Sequence, residues 1–157
     1  VEDEDLIKIY GILLLQFDKN FSMEVLREAK YIAVSNTGRL RGVLDKDLKP
    51  IILVRPDSYH AILTNKGAVL LSKVSRPPKY RVIIKSSEVE NIRGSKSLLA
   101  PVVINADTAI RSGDEVLVVD ESDKLLGYGK ARLSGYEIVS VKRGEVVRMR
   151  GWIDYAS

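Results

Sequence analysis

The sequence predicts an α+β protein: an N-terminal α+β module with an antiparallel sheet, followed by a small C-terminal β-barrel. Apolar residues recur at helical spacing in residues 5–17, whereas short β-branched segments broken by Gly and Asp fill the C-terminal half. Adjacent prolines occur only in residues 75–78. Because two prolines cannot continue a helix and favour extended backbone, we place the boundary there, with domains at 1–75 and 79–157.

The N-terminal module is predicted to begin with the helix over 5–17. Ser22 is expected to cap a second helix that ends at Ala29. Alternating apolar residues and turn residues predict an antiparallel meander, in which His60 is a sheet residue. A last helix is predicted to follow, capped by Thr64 or Asn65. The four strands are predicted at 31–35, 40–44, 50–54 and 59–63, and the helix at 66–74.

The C-terminal half is predicted to form a closed or half-closed barrel. Ser87 and Glu90 have the spacing of a capping box, which predicts a short helix that stops near Gly94. Gly127 and Gly129 share one face of a strand, where another backbone could approach closely. The strands are predicted at 80–85, 98–104, 115–119, 125–134, 137–141 and 146–153.

Composition restricts the kinds of function and binding site that this chain can have. The 157 residues are 45% hydrophobic and 29% charged, as in ordinary globular proteins. A net charge of +4 mildly favours an acidic partner such as nucleic acid. With no cysteine and one histidine, the chain offers no disulfide, thiolate zinc site or histidine pair, so we predict no metal and no cofactor. The acidic start and short apolar runs predict no membrane association and a cytoplasmic location.

Residues 94–137 carry a family resemblance. The segments GSKSLLAPVV (94–103), IRSGDEVLVVD (110–120), KLLGYGKA (124–131) and LSGYE (133–137) resemble a PUA domain, the small β-barrel named for pseudouridine synthases and archaeosine transglycosylases. The resemblance implies a PUA barrel in the C-terminal half and RNA as its ligand.

The N-terminal half resembles a second module. TGRLR (37–41), VRPD (54–57), LTNKGA (63–68) and PPKYRV (77–82) are similar to the α+β module that precedes the PUA domain in archaeosine tRNA-guanine transglycosylases. The catalytic barrel of those enzymes needs about 250 residues and carries cysteine zinc ligands. The resemblance therefore implies tRNA binding and argues that this chain alone is not an enzyme.

The PUA resemblance also implies an RNA-binding surface, because RNA in that family lies along the helix, the loop after it and the last strand. Transferred to this chain, those positions are Arg93, Gly94, Ser95, Lys96, Ser97, Leu98, Arg148 and Arg150. Lys130 and Arg132 alternate with Ala131 and are second candidates. Trp152, Tyr128 and Tyr136 could stack on bases, with Trp152 the foremost, although half-buried barrel residues are the plainer interpretation. For the basic clusters at 76–96 and 142–150, the plainer alternative is a solvated surface of mixed charge.

These observations predict a non-catalytic protein that binds tRNA or other structured RNA, and that serves as a tRNA-binding subunit for a separate RNA-modification enzyme. One alternative is a protein–protein adaptor that docks a catalytic partner; an exposed apolar patch on the first helix would favour it. Another alternative is a small enzyme that acts on a nucleobase. Such an enzyme would need an enclosed pocket that contains an Asp or Glu with a shifted pKa. No segment nominates such a pocket, and no oligomeric state is predicted.

Overall fold

A computed structural model describes residues 3–154 and confirms the α+β class, with two sheets and five α-helices in that range. The chain divides into an N-terminal unit, Val1–Ser75, and a C-terminal unit, Arg76–Ser157. In the described residues, no helix is both long and apolar enough to cross a membrane.

The N-terminal unit packs three helices with a four-stranded antiparallel sheet of order β1-β2-β3-β4. The sheet buries Val43, Ile52 and Leu63 on one face, and the helices add Leu13 and Phe21 to the buried apolar residues. Its elements are α1 (Asp3–Gln16), α2 (Lys19–Glu28), β1 (Tyr31–Val34), β2 (Leu40–Leu44), β3 (Pro50–Val54), β4 (Ala61–Leu63) and α3 (Asn65–Val74).

Two local predictions in this unit were wrong. The cap of α2 is Asp18, which accepts a hydrogen bond from the Phe21 amide at 2.9 Å, whereas Ser22 lies inside the helix and donates to the Asp18 carbonyl. The fourth strand starts at Ala61 and not at Tyr59. Tyr59 has a positive φ of 54°, a left-handed backbone conformation that cannot be part of an extended strand. His60 therefore precedes the strand.

The C-terminal unit is one curled, six-stranded sheet with the order β6-β10-β9-β8-β5-β7. Only the β5–β8 pair is parallel among the pairings described. Its elements are β5 (Arg81–Ile84), α4 (Val89–Ile92), β6 (Ser97–Leu99), β7 (Val103–Ala106), β8 (Glu115–Val119), β9 (Leu125–Ala131), α5 (Gly135–Ser140) and β10 (Glu145–Trp152). The half-barrel that results is the shape expected from the PUA resemblance.

The inside of this sheet is filled by aliphatic residues from β5, β8, β9 and β10, among them Val82, Val116 and Val147. Glycine lets β9 and β10 come close together, as the sequence predicted. A Cβ on Gly127 would lie 2.6 Å from the Gly151 carbonyl oxygen, a distance that a real side chain does not tolerate.

The predicted strand at 137–141 is a helix. Ser134 accepts from the Glu137 amide at 3.3 Å, and the Glu137 carboxylate accepts from the Ser134 amide at 3.0 Å, so a reciprocal capping box starts α5. The box expected at Ser87 and Glu90 does not form. A 3₁₀ turn occupies 86–88 instead, and α4 begins without a side-chain cap.

Candidate nucleic-acid interface

The loop between α4 and β6 is fixed by its own backbone and by β10. Gly94 has φ +87°, a left-handed conformation that glycine adopts without steric cost, and the Ser95 amide donates to the Ile92 carbonyl at 2.9 Å. The Met149 amide of β10 donates to the Lys96 carbonyl at 2.8 Å. Residues 94–96 are therefore held beside the last strand.

Two predicted site residues tie this loop to the end of β10. The Trp152 indole Nε1 donates to the Ser95 carbonyl at 2.9 Å, and Arg93 Nη1 donates to the Ile153 carbonyl at 3.1 Å. Trp152 is partly buried and packs against the core. Both side chains thus make structural contacts that shape the loop.

Beside the loop, three adjacent strands place polar side chains in one row. Ser97 on β6 lies opposite Arg148 on β10, which lies opposite Lys130 on β9. Because registered cross-strand partners point to the same face of a sheet, Arg148 and Lys130 lie side by side. Lys96, one residue before Ser97, is exposed and makes no ion pair within the part of the chain that the structure describes.

Glu145, at the start of β10, joins this row to Arg132. Its carboxylate lies 3.2 Å from Arg148 Nη1 and 3.4 Å from Arg132 Nε, and it accepts a hydrogen bond from the Ser97 hydroxyl. The Ser97 hydrogen bond, followed by the charges of the two arginines, holds the pKa of Glu145 below its ordinary value despite partial burial. The carboxylate is therefore ionised at neutral pH.

Two other predicted residues face different surroundings. Arg150 makes a bidentate pair with Glu115, with Nε and Nη2 each 2.9 Å from a carboxylate oxygen, and the Glu115 side chain is fully buried. Leu98 is buried in the core of the sheet. Arg150 and Leu98 therefore stabilise the fold.

The basic clusters counted along the sequence only partly reach the surface. Arg81 is buried, and its Nε donates to Asp123 at 2.7 Å. Lys142 and Arg143 lie exposed in the loop before β10. Of the other aromatic candidates, Tyr128 is buried, which raises its pKa, whereas Tyr136 is exposed on α5.

The structure thus brings together Ser97, Lys130, Arg132 and Arg148, and Lys96 precedes Ser97 in the chain. We call these five residues the β6–β10 surface. Sequence reasoning missed Glu145, which lies within the basic cluster at 142–150. Its role depends on partners 48 residues upstream, at Ser97, and on the β9–β10 pairing. Within residues 3–154, no group of three His, Asp or Glu side chains could hold a metal ion.

Each unit matches a family model. Residues 80–153 match the PUA domain, and residues 8–78 match the patch-forming domain C2 of tRNA-guanine transglycosylase. Together the two matches account for nearly all of the chain, and they agree with both resemblances drawn from the sequence.

Archaeal tRNA-guanine(15) transglycosylases are among the curated relatives of this chain. The chain is 37% identical over 141 residues to that of Methanocaldococcus jannaschii, which covers 88% of this chain and 22% of the relative. It is 36% identical over 145 residues to that of Thermoplasma volcanium, which covers 92% of this chain and 23% of the relative. The chain therefore spans about a fifth of the length of these relatives.

Solved structures show the same fold. A hypothetical protein from Pyrococcus horikoshii superposes with a TM-score of 0.73 at 24% identity, covering 97% of this chain and 92% of that one. A conserved PUA domain protein from Thermoplasma acidophilum superposes with a TM-score of 0.61 at 17% identity, covering 99% and 93%. At these identities the likeness concerns the fold alone.

Proposed function

Since this chain joins a patch-forming C2 domain of tRNA-guanine transglycosylase to a PUA domain, we propose that it binds structured RNA and does not itself catalyse a reaction. The observation that carries the proposal is the β6–β10 surface, where Arg132 and Arg148 both contact the Glu145 carboxylate and Lys130 lies opposite Arg148. The half-exposed arginines of this surface can donate charge-assisted hydrogen bonds to phosphate oxygens, and Lys96 and Lys130 add to the positive potential.

Transfer RNA is the RNA that we propose as ligand. The relatives that match both units are named for action on tRNA, and this chain corresponds to about a fifth of each. The part that it shares with them is therefore proposed to hold tRNA while a modification enzyme acts on it. In this role the chain is a tRNA-binding subunit for that enzyme.

The test is binding of the full chain to total tRNA, to random-sequence RNA and to duplex DNA across a salt series. The paired variant is Lys96→Glu with Arg148→Glu. A control of equal charge change is Lys46→Glu with Lys49→Glu, in the exposed turn between β2 and β3. We expect submicromolar tRNA binding that weakens steeply with salt, because phosphate contacts release counterions.

In the paired variant we expect that binding to be lost, and in the control to be largely kept. Equal and weak binding of all three nucleic acids, unchanged in the paired variant, would refute tRNA binding through this surface.

A second candidate, a protein–protein adaptor, is favoured by α1. Ile7 is 72% exposed and Leu15 is 90% exposed, and a groove of about 330 Å³ is lined by Ile7, Gly11, Ile12 and Tyr59. Exposed apolar surface of this kind is typical of docking sites.

The adaptor function is tested by calorimetric titration of the chain with the isolated catalytic barrel of a tRNA-guanine transglycosylase. Binding that is lost in Ile7→Glu with Leu15→Glu would support the adaptor, and no heat of binding to the unaltered chain would exclude it.

A further inference from the structure

A single carboxylate holds two arginines that lie far apart in the sequence. Glu145 Oε1 lies 3.4 Å from Nε of Arg132, which follows β9, and Oε2 lies 3.2 Å from Nη1 of Arg148 on β10. Ser97 Oγ donates to the same Oε2 and accepts from Arg148 Nη1 at 3.3 Å. Arg148 is therefore held by two hydrogen bonds, and Arg132 by an ion pair with the same carboxylate.

Both guanidinium groups carry further N–H donors. A guanidinium carries five N–H donors. In the contacts made within residues 3–154, Arg148 donates hydrogen bonds through Nη1 only, and Arg132 approaches Glu145 through Nε at ion-pair distance. The arginine side chains are 53% and 56% exposed, whereas that of Glu145 is 25% exposed. The carboxylate is thus more buried than the two arginine side chains, which are half exposed to solvent.

We infer that Arg132 and Arg148 form a clamp for one backbone phosphate of RNA, and that Glu145 is the positioning residue of this clamp. The inference rests on the proposed RNA-binding function and deepens it by naming which cations bind a phosphate through directed hydrogen bonds. The two non-bridging oxygens of a backbone phosphate can accept from two guanidinium groups, and a shared carboxylate holds these two near each other. Lys96 and Lys130 contribute to the same surface as point charges.

The opposing effect is repulsion between Glu145 and the bound phosphate. At about 7 Å in a water-like medium, two like charges weaken binding by roughly two- to threefold, and salt reduces this further. Ordering a free arginine on binding weakens affinity by roughly two- to tenfold for each side chain. Because Glu145 orders two arginines, its orienting effect is the larger one, and its neutralisation should weaken RNA binding.

The first variant is Glu145→Gln in the full chain, with tRNA affinity measured near physiological ionic strength. Because the amide carries no charge, both arginines lose their ion pair. This loss is offset in part by relief of the repulsion, and we expect affinity to fall about fivefold. Glu88→Gln is the control: it makes the same charge change in the C-terminal unit, where Glu88 bonds to Asn91 and to no arginine in the described residues. We expect that control to bind as tightly as the unaltered chain or slightly more tightly.

A double-mutant cycle distinguishes orientation from a general loss of structure. If Glu145 orients Arg148, then Arg148→Ala should reduce tRNA affinity less in the Glu145→Gln background than in the unaltered chain. Thermal unfolding of each variant reports whether the sheet is intact, since Ser97 and Glu145 also join β6 to β10. Arg148→Lys is the second test in case Glu145→Gln does not fold: it keeps the charge but lacks the planar fork, and we expect about fivefold weaker binding.

The outcomes separate the two proposals. Absence of tRNA binding by the unaltered chain would refute the proposed function. Tight binding by the unaltered chain, with equal or tighter binding by Glu145→Gln or with no loss in Arg148→Lys, would overturn the clamp and leave RNA binding in place.

Discussion

At the scale of single residues, arginine takes three different roles in the C-terminal unit. Arg148 is half exposed beside a partly exposed carboxylate, Arg150 is mostly buried against Glu115, and Arg81 is buried against Asp123. The last two partners lie 35 and 42 residues away along the chain. Charge counts along the sequence cannot separate these roles, because the role is decided by which carboxylate the fold brings near.

Arg150→Ala is expected to destabilise the protein. The change would leave the Glu115 carboxylate buried without its bidentate partner, and breaking a buried pair in this way costs about 3–5 kcal/mol. Chemical denaturation monitored by circular dichroism measures the loss. Arg148→Ala is the matched control, because its carboxylate keeps Ser97 and Arg132 and its own guanidinium is half exposed; we expect a loss below about 1 kcal/mol. Equal stability of both variants would contradict the assignment of Arg150 to the fold.

At the scale of elements, three strands that have a polar turn near each end were predicted well. The ranges 40–44, 50–54 and 115–119 match β2, β3 and β8 at both ends. The error at 137–141 arose because an alternating apolar pattern over so few residues also fits one and a half turns of helix. Tertiary packing decided between them: Gly135 lies directly against the Asp107 backbone, where a Cβ would not fit, and the Ser134–Glu137 capping box forms there.

The capping box of α5 should make stability depend on pH. Hydrogen bonds from the Ser134 amide, and then from its side chain, lower the pKa of Glu137 in the folded protein. A depressed folded pKa stabilises above the unfolded pKa, and that contribution is lost as pH falls through the folded pKa. Thermal unfolding at pH 7 and at pH 3 should therefore show a smaller acid loss in Glu137→Gln than in the unaltered chain.

Ser134→Ala gives a second measure of the same cap. Loss of an N-cap side chain costs about 0.5–2 kcal/mol, so the midpoint of thermal unfolding should fall at neutral pH. An acid loss in Glu137→Gln as large as in the unaltered chain would show that the cap does not contribute.

At the scale of the whole molecule, the sequence predicted two modules, their order and most of the β6–β10 surface. It did not predict the arrangement inside that surface. Lys96, Lys130, Arg132 and Arg148 were all proposed from resemblance or alternation, but Glu145, which joins two of them, was not. A bond between segments needs the strand order β6-β10-β9, which no local pattern encodes.

The two units are also predicted to differ in how much they contribute to tRNA binding. The core of the C-terminal unit is formed by residues between Val82 and Trp152, and all six strands of its sheet lie in the same part of the chain. We propose that a fragment of residues 76–157 folds alone, although a domain of this size is only modestly stable. Because the β6–β10 surface lies wholly within it, the fragment should keep most of the tRNA affinity.

A fragment of residues 1–75 should bind tRNA far more weakly, since it lacks that surface. Cooperative thermal unfolding and tRNA titration of both fragments measure this division. If tRNA affinity followed residues 1–75, the interface would have to be placed in the N-terminal unit, where Arg39, Arg41 and Arg55 are exposed on and beside β2 and β3. If 76–157 did not fold alone, the boundary after Ser75 would separate two parts that depend on each other for stability, and the proposed independence of the PUA domain would be wrong.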